Sequence, residues 1–160
     1  MPRRTQRYSK IGDTMKTIDL SGKWNYKTDI DDSQTIDSIK FENNNFNLPG
    51  STCDNRIGKK TEYFDKISKE AVRAPRERYE YIAPLWLQKT VNIPNDTDGK
   101  TVRLFMERVN IASELWIDGV KTDRQIIELS TPHIYNLTGK NNTGRTYVYA
   151  ENRQQKFAKP

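Results

Sequence analysis

The sequence predicts an all-β fold, a single antiparallel β-sandwich of the jelly-roll type with about eight strands. Three observations carry the prediction. Short segments alternate apolar and polar residues with the two-residue period of a half-buried strand, most clearly Val102, Leu104 and Met106 and then Leu115 and Ile117. Turn residues punctuate these segments at Ser21-Gly22, Pro49-Gly50, Asp96 to Gly99, Asp118-Gly119 and Gly139 to Gly144. The composition is lean, 34% hydrophobic against 30% charged in 160 residues, which suits one core built from thin strands with one wet face rather than a parallel sheet of continuous apolar runs.

In chain order, residues 1–14 are polar, basic and without period, and read as a disordered extension, with a start at Met15 as an alternative. Ile18 and Leu20 predict a short strand, Ser21-Gly22 a turn, and Trp24 and Tyr26 a second strand in which Trp24 anchors the core. Asp29, Asp31 and Asp32 lack the spacing and the glycine of a calcium loop and read as a solvated loop. Ile36 to Phe41 predicts a strand that Asn43-Asn44-Asn45 breaks. Ser51 to Tyr81 is the least regular long segment, with a helical piece over 62–72, and reads as a functional or interfacial loop. Leu85 to Ile93 is a strand closed by Pro94, which cannot donate to a ladder. Asp118-Gly119 is a tight hairpin turn, because both residues reach positive φ at low cost, and 120–123 is the return strand. Residues 134–137 and a run through Thr146, Val148 and Ala150 give the last strands. The domain is therefore drawn at 15–153, with 154–160 opening a linker.

Composition also removes classes of function. No stretch approaches the ~20 apolar residues that span a bilayer, so a soluble chain with no membrane partner is expected. No apolar signal region follows Met1, which points to the cytoplasm, with a periplasmic or secreted location open if the start has been trimmed. The net charge of +6 is scattered, without an aromatic-interleaved or helix-turn-helix pattern, so no nucleic-acid partner is expected. Cys53 is the one cysteine and His133 the one histidine, too few for a common zinc site, and no metal or cofactor is expected. Cys53 reads as an inert thiol and His133 as a structural hydrogen-bonder.

Tyr79, Tyr81 and Trp86 lie close together beside Arg76 and Arg78. Aromatic faces stack on sugar C–H bonds while guanidinium groups bond hydroxyls, so this is the best carbohydrate-contact composition in the chain. Trp86 reads as core and Tyr79 as a contact.

FMERVNIASELWIDGVK, followed by LSTPHIYNLTG, resembles the N-terminal sugar-binding domain of glycoside hydrolase family 2, the β-galactosidase, β-glucuronidase and β-mannosidase group. IDLSGKWNY at 18–26, NLPGS at 47–51, PLWLQKTVNIP at 84–94 and a strand ending at Glu151-Asn152 fall in the family's order. The chain departs from the pattern at Leu87 and at Lys121-Thr122. The resemblance implies a galactose-binding-like jelly roll that packs on a catalytic barrel and lends residues to the rim of the sugar subsite. It carries Asn152 and Arg153 onto the end of the last strand, and Arg78, Tyr79 and Tyr81 onto the second rim contribution. It assigns no catalytic residue here. The family's acid lies in an Asn-Glu dipeptide that this sequence lacks, within a barrel of about 250 residues. The expected role is accessory, with a β-glycoside as the partner of the whole enzyme, and an independent carbohydrate-binding or protein-interaction module is the alternative.

Overall fold

The computed structural model describes residues 15–61, 78–94, 99–122, 124–139 and 144–153, with only the backbone described for 42–45 and 144–153. The readings of 1–14, 62–72 and 154–160 lie outside the described residues. Every regular element among the described residues is a strand: β1 (Gly22–Thr28), β2 (Glu42–Leu48), β3 (Lys59–Lys60), β4 (Tyr79–Glu80), β5 (Leu85–Ile93), β6 (Arg103–Met106), β7 (Ile111–Ile117), β8 (Val120–Lys121), β9 (Ile126–Glu128), β10 (His133–Asn136) and β11 (Gly144–Arg153). All pairings are antiparallel. The main sheet runs β2-β1-β5-β11-β7-β8, with β9 also on β7, while β10-β6 and β3-β4 form two-stranded ribbons.

The core lies between one face of the main sheet and the β6–β10 ribbon. Leu85, Val91, Ile93, Leu115 and Ile117 from the sheet meet Leu104, Tyr135 and Leu137 from the ribbon side, and Trp24 and Phe46 close the other end. Leu115 is fully buried and Ile117 nearly so, as their alternation predicts. Asp118 and Gly119 both take positive φ, at 50° and 81°, and the Thr122 amide closes back on the Leu115 carbonyl at 2.8 Å. This is the conformation that Asp-Gly was expected to supply.

Two local expectations are corrected. Residues 15–21 form no strand. The Leu20 carbonyl, which a ladder would use, instead accepts from Trp24 Nε1 at 2.8 Å and Lys89 Nζ at 2.9 Å, so the segment is pinned by side chains and the strand starts at Gly22. The three asparagines do not end a strand over 36–41, where the chain turns. They sit inside β2. From Trp24 to Tyr26, a step of two on β1 is matched by the four-residue step from Phe46 to Glu42, and that irregularity absorbs the extra residues.

The outer side of the main sheet is wet along the far half of β5, where Thr90 and Asn92 are exposed, but it is covered at the other end. Trp86 and Trp116 meet there with ring centroids 4.9 Å apart, Lys121 lies 5.2 Å over Trp116, and Lys121 pairs with the buried Glu114 carboxylate at 2.9 Å. The Asp29 carboxylate is also buried. It accepts from the amides of Ser33 at 2.9 Å and Gln34 at 3.1 Å and from Trp86 Nε1 at 3.3 Å, so it organises its loop from within instead of being solvated.

Leu115→Ala is expected to destabilise by roughly 2–5 kcal/mol through lost burial and an unfilled cavity, and Arg103→Ala by far less, since Arg103 is exposed. Equal, small shifts of the denaturant midpoint in both variants would show that the faces of β6 and β7 are misassigned. The buried Thr122 hydroxyl has no hydrogen-bond partner among the described residues. Thr122→Val should therefore raise stability by up to about 2 kcal/mol, read as a higher urea midpoint at unchanged slope. Burial pushes the Tyr81 and Tyr135 hydroxyls above the usual value of 10.0. The unfolded chain releases these protons first, so stability should be level below that pH and fall above it, and Tyr135→Phe should flatten the fall.

Candidate functional site

The predicted rim residues come from two places that the fold brings to one end of the main sheet. Asn152 occupies the register position between Leu85 of β5 and Ser113 of β7, and Arg153 stands opposite Ala112. Thr28 completes the same row on the far side of Leu85. The second contribution is the β3–β4 ribbon. Thr61 donates its amide to the Arg78 carbonyl at 2.9 Å, and Lys60 pairs with Tyr79. Gly58 makes this ribbon possible. Its φ is +100°, and a Cβ there would stand 2.2 Å from the Glu80 carbonyl oxygen.

Only 81–84 separate β4 from β5, and Tyr81 fastens that link. Its hydroxyl donates to the Pro84 carbonyl at 2.5 Å and accepts the Asp29 amide at 3.0 Å, while the same amide also reaches the Pro84 carbonyl at 3.1 Å. The end of β1 is thereby tied to the start of β5, which is the row that holds Asn152. Tyr81 itself is 8% exposed, with its hydroxyl fully engaged, so of the two tyrosines only the half-buried Tyr79 offers surface to a ligand. Arg78 is exposed. Trp86 is in the interior, as read from the sequence, although on the outer side of the sheet and bonded to Asp29.

At the same end His133 is a structural hydrogen-bonder, as expected, but it belongs to a buried polar knot whose other members no local pattern announces. Ser113 Oγ lies 2.7 Å from His133 Nδ1 and 2.9 Å from the Tyr135 hydroxyl, which also donates to the Ser113 carbonyl at 2.8 Å, and His133 Nε2 meets the Glu128 carbonyl at 3.1 Å. A neutral ring that donates Nε2–H to Glu128 accepts the Ser113 hydroxyl at Nδ1. The pair has the reach of a nucleophile and its base, but His133 is 0% exposed and Ser113 2%, and a backbone carbonyl stands where a carboxylate would orient the ring. It is a structural clamp joining β7, β9 and β10. Besides His133, the sequence signal for this knot is a serine at an inward position of the Ile111, Ser113, Leu115 alternation.

Beside the knot opens a cleft of about 490 Å³, with Glu107 to Asn110 on one wall and Leu129, Ser130 and Pro132 on the other. The first wall is the crossing from β6 to β7. There the Ile111 amide meets the Val109 carbonyl and the Ala112 amide meets the Asn110 carbonyl, both at 3.1 Å, with Ile111 at φ 74°. A β-branched residue in the left-handed region is strained, and such strain gathers at functional positions. Ser130 on the facing wall is left-handed too, at φ 66°.

No protein-family model matches the sequence, and no curated protein matches it. Among solved structures, the fold is similar to part of a β-glucuronidase from Faecalibacterium prausnitzii, at 16% identity and a TM-score of 0.62, covering 92% of this chain and 22% of that one. A β-glucuronidase from Ruminococcus gnavus matches at 13% identity and a TM-score of 0.61, over 84% of this chain and 20% of that one. A third, from an uncultured Clostridium, matches at 13% and 0.58, over 88% and 24%. The chain thus spans about a fifth to a quarter of the length of these enzymes, and at these identities the likeness is one of fold: the chain, whose regular elements among the described residues are all strands, has the architecture of one portion of bacterial β-glucuronidases.

Proposed function

We propose that the chain is the accessory, galactose-binding-like jelly-roll domain of a family-2 β-glycosidase. In that role it packs on a catalytic barrel and contributes Arg78, Tyr79, Asn152 and Arg153 to the rim of the sugar subsite. The observation that carries the reading is the match of nearly the whole chain to a fifth of several β-glucuronidases, in agreement with the ordered motifs of the sequence. β-Glucuronides are the substrates to try first, since the R. gnavus enzyme is solved with uronic deoxynojirimycin and with D-glucaro-1,5-lactone. The chemistry then belongs to the barrel, and this domain adds hydrogen bonds that strengthen as charge develops in the transition state. The direct test is the reading frame beyond Pro160. A barrel of about 250 residues preceded by an immunoglobulin-like domain supports the accessory role, and a stop codon there favours an independent carbohydrate-binding module.

Two measurements follow. The 160-residue chain alone should bind galactose, glucuronate or mannose no tighter than about millimolar, or about −4 kcal/mol, because a rim buries too little of one ring to offset its desolvation. Micromolar binding by calorimetry would contradict the accessory reading. In the whole enzyme, Arg78→Ala or Asn152→Ala should lower kcat/KM by about tenfold, the worth of one charge-assisted or transition-state hydrogen bond. Wild-type kinetics in both variants would remove these residues from the site.

A further inference from the structure

The cleft beside the Ser113–His133 clamp differs from the rest of this end of the sandwich in one respect. Around it, polar groups are consumed internally: Thr131 Oγ1 donates to the Glu128 carboxylate at 2.6 Å, His133 takes the Glu128 carbonyl, and Ser113 takes His133. Within the cleft, the exposed side chains of Glu107, Arg108, Asn110 and Ser130 make no hydrogen bond or ion pair among the described residues, and they share the lining with Val109, Pro132 and a Leu129 that is 70% exposed. Both walls are held in place before any ligand arrives. The tight crossing at Ile111 fixes one, and the Glu128 to His133 bonds fix the other, with Ser113 joining them through the core. Walls fixed in advance lower the ordering cost of binding.

We propose that this cleft is a second carbohydrate-contact site that binds an uncharged saccharide of more than one ring, lying next to the rim at the end of β11. The inference rests on the carbohydrate reading above and extends it to residues which that reading does not use. The volume of about 490 Å³ is of the size that receives a small organic ligand. The chemistry selects the class. A carboxylate accepts from neighbouring hydroxyls, and a guanidinium and a carboxamide donate to them. Val109 on one wall and Leu129 and Pro132 on the other give apolar surface against which the C–H face of a ring can rest. An anion would be welcomed by Arg108 and repelled by Glu107, and a cation the reverse, so a neutral, hydroxyl-rich molecule satisfies both. Without an aromatic platform the contact is weak alone and serves to hold the part of a substrate beyond the first sugar.

The test is a titration of the ¹⁵N-labelled 160-residue chain with methyl β-cellobioside, followed by amide shifts, with sodium D-glucuronate as the charged single-ring control. The expected result is saturable shifts at Glu107 to Asn110 and Leu129 to Thr131, weakened at least about tenfold by Arg108→Ala and by Asn110→Ala. Both residues are exposed, so the variants should keep the rest of the spectrum. Shifts confined to other regions, no shift at all, or equal occupation of the cleft by glucuronate would overturn the proposal. The two readings fail separately. A downstream barrel with a silent cleft refutes this inference alone, while cleft shifts in a chain that stops near Pro160 refute the accessory role and leave this site standing.

Discussion

The main sheet depends on the insertion of β11. The strand pairs with β5 from Gly144↔Ile93 to Asn152↔Leu85, and on its other edge with β7 from Val148↔Ile117 to Arg153↔Ala112. Without it, β1, β2 and β5 would form one ribbon and β7, β8 and β9 another, each with an open edge and half a core. The partners on either side lie some tens of residues upstream, so the strand that joins the halves is the last described one in the chain. Closing such long-range pairings costs chain entropy before any contact repays it, so the main sheet is completed only when β11 is in place.

The same insertion builds the candidate site. Asn152 and Arg153 have a defined position only because β11 runs to the end of the sheet between Leu85 and Ser113. The ribbon carrying Arg78 and Tyr79 is brought to that end by Tyr81 and Asp29, two polar residues whose hydrogen bonds are spent inside the protein. Interior polar groups are costly unless paired, and here the Tyr81 hydroxyl takes the Asp29 amide while the Asp29 carboxylate takes the Trp86 indole, so the two specify how the segments meet. The rim is thus a by-product of core connections, with only its outermost side chains left for a ligand.

How much could be read beforehand follows from the range of the interactions. The limits of β5 were legible because Pro94 blocks the ladder and the alternation is local, and the β7–β8 hairpin because Asp118-Gly119 announces its own geometry. The start of β1 and the path of β2 were not, since a lysine almost seventy positions away decides what the Leu20 carbonyl does, and a register irregularity decides where the asparagines go. At the site, Tyr79 and Tyr81 are two apart and would share one face of a continuous strand. They part company because β4 ends at Glu80 and the chain turns toward Pro84, which no local pattern states. Asp29 looked like one of three solvated acids until the Trp86 indole, 57 positions away, gave it a partner.

The tryptophan pair on the outer side has a consequence of its own. Trp86 belongs to β5 and Trp116 to β7, and β11 lies between those strands, so their backbones are about two strand spacings, roughly 9–10 Å, apart. The rings nevertheless meet at 4.9 Å, leaning toward each other over the intervening strand. Two indoles at that separation couple their electronic transitions, and they come into register only when β11 is in place. The protein therefore carries an intrinsic chromophore pair whose circular dichroism in the ultraviolet reports the joining of the two half-sheets, without any label.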